Sequence, residues 1–184
     1  MSAEGPAGLR VRRARTSDVP LIRHLVDTYA PQRILLGKAT VTLYEDVQEF
    51  WVAELAREGA DADDPAAGQP WVVGCGALHV MWNDLAEVRT LAVDPAVRGR
   101  GVGGALLDRL LETARDLGVA RVFCLTFEVD FFASRGFAPI DGAPVSPEVF
   151  AQLLQSYDEG VAEFLDLERV KPNTLGNTRM LRFL

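Results

Sequence analysis

The sequence has little of the residues that build metal centres and disulfide frameworks. Among its 184 residues are two cysteines, Cys75 and Cys124, and two histidines, His24 and His79. Each cysteine lies inside an apolar run, so both read as small core residues, and the histidines have no partners at metal-ligand spacing. No metal site and no disulfide are expected, and reduced thiols suit a cytoplasmic location. Long apolar runs are missing too. No stretch approaches the roughly 20 residues a membrane span needs, and residues 1–8 lack a hydrophobic signal core. Positive charge is the third scarcity: 19 Lys and Arg stand against 26 Asp and Glu, a formal net charge of −7. Outside one glycine-rich loop no contiguous basic run exceeds Arg12-Arg13, which argues against a nucleic-acid partner. Local arginines in an acidic chain suit a small anionic ligand instead.

A hydrophobic content of 48% is ample for a core at this length. We expect one domain over residues 1–184, with a core at 9–140, a mobile acidic loop at 58–70 and a C-terminal elaboration at 144–184 that ends in a strand. Leu9 to Ala14 alternates as a strand. Thr16-Ser17-Asp18 then reads as a cap, and Pro20 in the first turn opens a helix with Val19, Ile22, Leu25 and Val26 inward. Val47, Phe50, Trp51 and Leu55 predict a second helix over Leu43 to Arg57. Trp71–Cys75 and Ala77–Trp82 read as two strands broken at Gly76, with Asn83-Asp84 as the next turn. Later, Arg121–Thr126 reads as a buried strand, Asp130–Arg135 as a short helix and Gly136-Phe137 as the start of an extended piece. Ser146-Pro147-Glu148 caps a helix through about Tyr157. Gly160–Leu167 is ambiguous, and Arg179–Leu184 closes the chain as a strand. The expected class is mixed α/β (α+β), with a largely antiparallel central sheet flanked by helices.

The most informative stretch runs from Ala86 to Leu117. It alternates through Glu87–Val93, turns at Asp94-Pro95 and enters the loop Arg98-Gly-Arg-Gly-Val-Gly-Gly104. A helix follows, with Leu106, Leu107, Leu110, Leu111, Ala114 and Leu117 on one stripe. Strand, glycine loop and helix form an architecture that holds phosphate, because glycines let the backbone approach an anion and a helix start presents unpaired N–H groups. No Lys-Ser or Lys-Thr pair follows the glycines, which excludes a P-loop, and the loop is read as distinct from the dinucleotide fingerprint. The spacing Arg98, Gly101, Gly103 fits R-x-x-G-x-G.

This motif, directly after Leu91-Ala92-Val93-Asp94-Pro95, resembles the pyrophosphate-binding element of the GNAT superfamily of CoA-dependent N-acetyltransferases. Phe131–Phe137, FFASRGF, is similar to that superfamily's F-Y-x-x-x-G-F element, and the resemblance covers about residues 9–140 plus the last strand. It implies a GNAT fold and acetyl-CoA as co-substrate. The pyrophosphate would sit on Arg98, Gly99, Arg100, Gly101, Val102, Gly103 and Gly104. Backbone groups of Leu91, Ala92 and Val93 would hold the pantetheine arm and polarise the thioester. Glu87 occupies the strand position of the glutamate base. Phe132 stands where many relatives carry a tyrosine acid, and Tyr157 or Tyr44, water, or departure of the bare thiolate are the alternatives.

The segments ILLGKATVTLYEDVQEFWVAE, GCGALHV and CLTFEVDFFASRGF resemble the N-acetylglutamate synthases of arginine biosynthesis. That resemblance implies transfer to the α-amino group of L-glutamate, with Lys38, Arg89 and Arg179 as candidate cations for its carboxylates. Another amine, such as a protein N-terminus or a cationic small molecule, is one alternative. A CoA-binding regulatory module without turnover is another. The expected partner is a small molecule, with no nucleic acid and no membrane, and a homodimer stays open.

Overall fold

The structure, a computed structural model, describes residues 6–29, 39–56, 70–167 and 176–184. The loop expected at 58–70 lies outside the described residues except for Pro70. Among the described residues seven strands form a mostly antiparallel sheet in the order β1-β2-β3-β4-β5-β7-β6. They are β1 (Arg10–Arg13), β2 (Phe50–Ala56), β3 (Pro70–Trp82), β4 (Leu85–Val93), β5 (Arg121–Thr126), β6 (Ala138–Pro139) and β7 (Thr178–Phe183). The helices are α1 (Val19–Tyr29), α2 (Thr40–Glu45), α3 (Val102–Asp116), α4 (Val129–Ala133), α5 (Pro147–Leu153) and α6 (Glu159–Phe164). The chain forms two compact units, one of residues 1–78 and 90–113, the other of residues 79–89 and 114–184.

In the first unit β1 pairs antiparallel with β2, and β2 with β3. On one face α1 and α2 bury Val19, Ile22, Val26 and Leu43 against Phe50, Val52, Cys75 and Ala77. On the other, α3 sets Val102 and Leu106 against Ala53, Leu55 and Val73. Two expectations fail here, each for a packing reason. The helix expected over Leu43–Arg57 is a short helix, a single 3-10 turn (Val47–Glu49) and then β2. Phe50 and Val52 serve one apolar layer while Ala53 and Leu55 serve the other, and only an extended chain covered on both faces satisfies both. The break expected at Gly76 is also absent, since β3 runs unbroken from Pro70 to Trp82. A Cβ on Gly74 would lie 3.0 Å from Leu106 Cδ1, and one on Gly76 would lie 3.0 Å from both Leu110 Cδ1 and Leu91 Cδ1. These glycines let α3 approach the sheet.

A buried ion cluster ties β1, β2 and the start of α1 together. Arg12 donates from Nη1 and Nη2 to the two Asp18 oxygens at 2.7 and 3.0 Å, and from Nε to Glu54 at 2.7 Å, while Asp18 also accepts from the Arg15 N–H. Burial pushes the Asp18 carboxyl upward, but the Arg12 and Arg15 donors outweigh it and leave Asp18 below its ordinary value. A depressed carboxylate contributes stability above the unfolded value of about 3.9, and that contribution is lost as pH falls through the folded value. Asp18→Asn is therefore expected to cost about 3 kcal/mol at pH 7, with the gap from wild type closing in acid. Urea midpoints at pH 7 and pH 3 check this, and an equal gap at both would contradict it.

In the second unit the start of β4 runs parallel to β5 through Leu85↔Arg121, Ala86↔Val122 and Glu87↔Phe123. Strand β5 then pairs antiparallel with β7, and β7 with β6. The ambiguous run at Gly160–Leu167 contains α6, which buries Val161 and Phe164 with Leu85, Phe123 and Leu181, the two phenyl rings meeting edge to face at 5.3 Å. Helix α5 starts at Pro147 with Ser146 Oγ accepting from Val149 N, but it ends at Leu153, short of the expected Tyr157. Helix α3 ends at Asp116, where Gly118 at φ +80 reverses the chain. Leu117, expected on the apolar stripe, is exposed in consequence.

Candidate active site

The first unit carries the glycine loop. Asp94 Oδ1 accepts from Ala96 N at 2.8 Å and starts a single 3-10 turn, Pro95–Val97, whose Val97 is buried and anchors the loop. Gly99 and Gly101 follow at φ +77 and +83, left-handed conformations in which other residues are strained. A Cβ on Gly99 would meet nothing within 4 Å, so backbone conformation rather than crowding calls for glycine there. Helix α3 begins at Val102, so its positive end faces the loop that carries exposed Arg98 and Arg100. Flexible glycines, arginines and a helix start together fit a diphosphate. The sequence reading missed Tyr29. This buried residue donates its hydroxyl to Val93 O, and the Arg98 guanidinium lies 5.8 Å from its ring centroid.

The expected difference from the dinucleotide fingerprint does not survive a count of residues. Gly99, Gly101 and Gly104 also satisfy G-x-G-x-x-G, and the loop joins two parallel strands through a helix. Spacing alone therefore does not choose between the two ligands.

Leu91, Ala92 and Val93 form the end of β4. Before them stands Thr90 at φ +56, an outlier for a β-branched residue in a strand. Its carbonyl accepts from Cys75 Sγ at 3.6 Å. Burial pushes the Cys75 thiol up to about 12, as befits an unreactive core residue.

The second unit holds Glu87, with its carboxylate almost wholly buried. Arg89 donates to Glu87 Oε2 from Nε at 3.1 Å and from Nη2 at 2.8 Å. The same guanidinium grips Asp158 from two sides, Nη1 to Oδ2 at 3.1 Å and Nη2 to Oδ1 at 3.0 Å. Asp158 itself caps α6 by accepting from Val161 N at 3.0 Å, and His79 Nε2 lies 3.8 Å from its Oδ2. Burial is the main cause that raises Glu87 above the ordinary carboxylate range. Arg89 opposes the rise, and the charge of Asp158 adds to it. Burial raises Asp158 as well, but its hydrogen bonds and charge pairing with Arg89 reverse the sign. A hidden carboxylate with raised proton affinity can take a proton from an ammonium.

Gly160 sits directly on this carboxylate. A Cβ there would lie 2.1 Å from Glu87 Oε2 and 3.0 Å from Arg89 Nη2. Neither Asp158 nor Gly160 was singled out from sequence, although Asp158, two residues before Gly160 and three before Val161, has a helix-cap signature.

Among the candidate cations, Arg89 is committed to two carboxylates. Arg179 on β7 donates to Gly142 O at 3.0 Å and to Phe164 O, and its buried Nε has no acceptor among the described residues. Lys38 lies outside the described residues. Phe132 is buried in edge-to-face contact with Phe131 and Phe137, while Tyr157 is 97% exposed and Tyr44 about half exposed. Among the described residues no group of three or more His, Cys, Asp or Glu is placed to hold a metal ion, and no helix is long and apolar enough to cross a membrane.

Comparison with known proteins separates the ligands that spacing leaves open. Residues 22–138 match the acetyltransferase (GNAT) family. An amino-acid acetyltransferase of Mycobacterium tuberculosis is 62% identical over 174 residues, covering 95% of this chain and 94% of that protein. A crystal structure from Mycobacterium tuberculosis, in complex with CoA and NLQ, is similar at a TM-score of 0.83 and 61% identity, covering 95% of this chain and 99% of that one. The N-acetylglutamate synthase of Neisseria gonorrhoeae, complexed with coenzyme A and N-acetyl-glutamate, has a TM-score of 0.71 at 24% identity. That match covers 97% of this chain and 35% of the longer one, and it bears on the fold alone. With a family match over most of its length and a relative of this identity from end to end, the chain belongs to the GNAT family of acetyltransferases.

Proposed function

We propose that this protein is an acetyl-CoA-dependent N-acetyltransferase that acetylates the α-amino group of L-glutamate, the first step of arginine biosynthesis, in the cytoplasm. The observation that carries the reading is strand β4, which holds the buried Glu87 near its start and leads into the Arg98–Gly104 loop. The 62% identical amino-acid acetyltransferase supports the acceptor class, and the similar structure in complex with CoA supports the co-substrate.

In this mechanism the glycine loop and the first turn of α3 hold the CoA diphosphate, and Arg98 supplies charge. Backbone N–H groups of Leu91–Val93 polarise the thioester oxygen as charge develops on it. Glu87 takes one proton from the substrate ammonium. The freed nitrogen pair forms the C–N bond, the nitrogen gives up its second proton to solvent as the tetrahedral centre collapses, and the C–S bond breaks with its electrons going to sulfur, so no covalent enzyme intermediate arises. Phe132 has no proton to give. A CoA thiolate leaves unaided because a thiol of this kind has a pKa of about 8.5, and it is protonated from solvent. Arg179, with its Nε–H still unused, and Lys38 are assigned to the substrate carboxylates. Arg89 orients Glu87 through its Nε and Nη2 donors.

Thiol release from acetyl-CoA by the purified protein, measured over a panel of amino acids, peptides and aminoglycosides, tests the reading. Release is expected with glutamate, and release with peptides or aminoglycosides but not glutamate would overturn it. Removing the loop cation should act on the cofactor alone: Arg98→Ala is expected to raise the KM for acetyl-CoA about tenfold, with kcat little changed. A fall in kcat at unchanged KM would remove Arg98 from the cofactor site.

A further inference from the structure

The unexplained feature of the second unit is the third member of its ion cluster. Glu87 and Arg89 sit two residues apart on β4 and would pair without help. Asp158 comes from a distant part of the chain, and it is built in rather than incidental. Its backbone N–H donates to Ser156 Oγ at 3.1 Å, its Oδ1 caps α6 through Val161 N, and both of its oxygens accept from Arg89. The next residue but one, Gly160, presses on the Glu87 carboxylate so closely that no side chain fits between them. One short segment thus holds both the base and the cation that neutralises it.

A full Arg89 charge devoted to Glu87 would be harmful to a base. An arginine that pairs with one buried carboxylate stabilises its anion and weakens its hold on a proton. Here the Arg89 Nη2 is shared, 2.8 Å from Glu87 Oε2 and 3.0 Å from Asp158 Oδ1, and Nη1 belongs to Asp158. We infer that Asp158 is a positioning residue of the acetyl transfer: by taking half of the Arg89 fork it divides the guanidinium between two carboxylates and so keeps Glu87 basic enough to deprotonate the acceptor amine. The inference rests on the reading of Glu87 as the base. The other charged or titratable groups that act on Glu87 or answer to it are His79 on β3, Cys124 on β5 and Glu163 on α6. Asp158 differs from them in accepting directly from the Arg89 guanidinium through both of its oxygens.

Asp158→Asn is the suitable variant, because asparagine is as good a helix cap as aspartate while it removes the charge and one of the two oxygens that accept from Arg89. Two readouts are needed: the pH profile of kcat, and the titration of the Glu87 carboxyl by 13C NMR in protein labelled at glutamate, assigned by comparison with Glu87→Gln. The expected result is a midpoint for Glu87 at lower pH, an acidic limb of the kcat profile displaced in the same direction, and a fall of about tenfold in kcat above that limb, the mark of a weaker base. The KM for acetyl-CoA should stay as in wild type, while loss of the carboxylate that pairs with Arg89 lowers the thermal midpoint. If the Glu87 midpoint and the acidic limb do not move while Glu87→Gln is inactive, the base reading stands and the role of Asp158 is overturned. Activity lost together with thermal stability, at an unmoved limb, would reduce Asp158 to a helix cap and overturn it as well. Full activity of Glu87→Gln would overturn the base reading and this inference with it, whatever the NMR midpoint does.

Discussion

Glu87→Gln is expected to lower kcat by about 10²- to 10⁴-fold, the usual contribution of a positioned general base, and to leave CoA affinity unchanged. Glutamine has the shape of glutamate and can still accept from Arg89, but it cannot take the proton of an ammonium. The fold should survive, because Arg89 keeps its two-sided pairing with Asp158 and is not left as an unpaired buried charge. The pH profile has a definite sign. Burial raises Glu87, so the base is lost as pH falls through that raised value, and wild-type activity should decline at a pH above the range of an ordinary carboxylate. In Glu87→Gln that limb should vanish. Steady-state thiol release across pH, with CoA binding by calorimetry, checks both parts, and turnover equal to wild type across the range would remove Glu87 from the mechanism.

The second large effect is expected at Gly160. Helix propensity alone predicts that Gly160→Ala stabilises the protein, by about 1 kcal/mol. The surroundings predict the reverse. The new Cβ would lie 2.1 Å from Glu87 Oε2 and 2.9 Å from its Cδ, and the buried Glu87 is bonded to the partly buried Arg89, so neither can swing aside freely. Overpacking of this kind costs about 1–3 kcal/mol, and at this chain length each kcal/mol lowers the thermal midpoint by about 2–4 °C. The displaced carboxylate should also lose at least about tenfold in kcat, since small misplacements of a base are costly. A raised thermal midpoint with normal turnover would show that α6 stands farther from Glu87 than the structure places it.

The parts legible in the sequence are those whose signals are local. The stripe Leu106, Leu107, Leu110, Leu111 and Ala114 is buried on α3, Gly118 stops that helix, and β5 has the bounds read from Arg121–Thr126. Glycines at Gly99 and Gly101 adopt the positive φ that a phosphate loop uses. What misled the reading was the assumption that one segment has one apolar face. Phe50–Ala56 fills two layers, and its apolar residues mimic helical spacing only when the second layer is ignored. Gly76 reads as a break in the strand because the sequence does not reveal which helix lies over a glycine.

The sequence by itself determined the family, since strand, turn, glycine loop and helix start follow one another along less than a fifth of the chain, while the glycine spacing left the ligand open between a dinucleotide and CoA. Only the tertiary structure decided the surroundings of Glu87. Glu87 and Arg89 are neighbours on any strand. That their charge is shared with Asp158, and that Gly160 closes over them, depends on a helix that arrives from about seventy residues away in sequence. Electrostatics in a buried site is set by distance in space and by the loss of water, and neither is written in the order of residues.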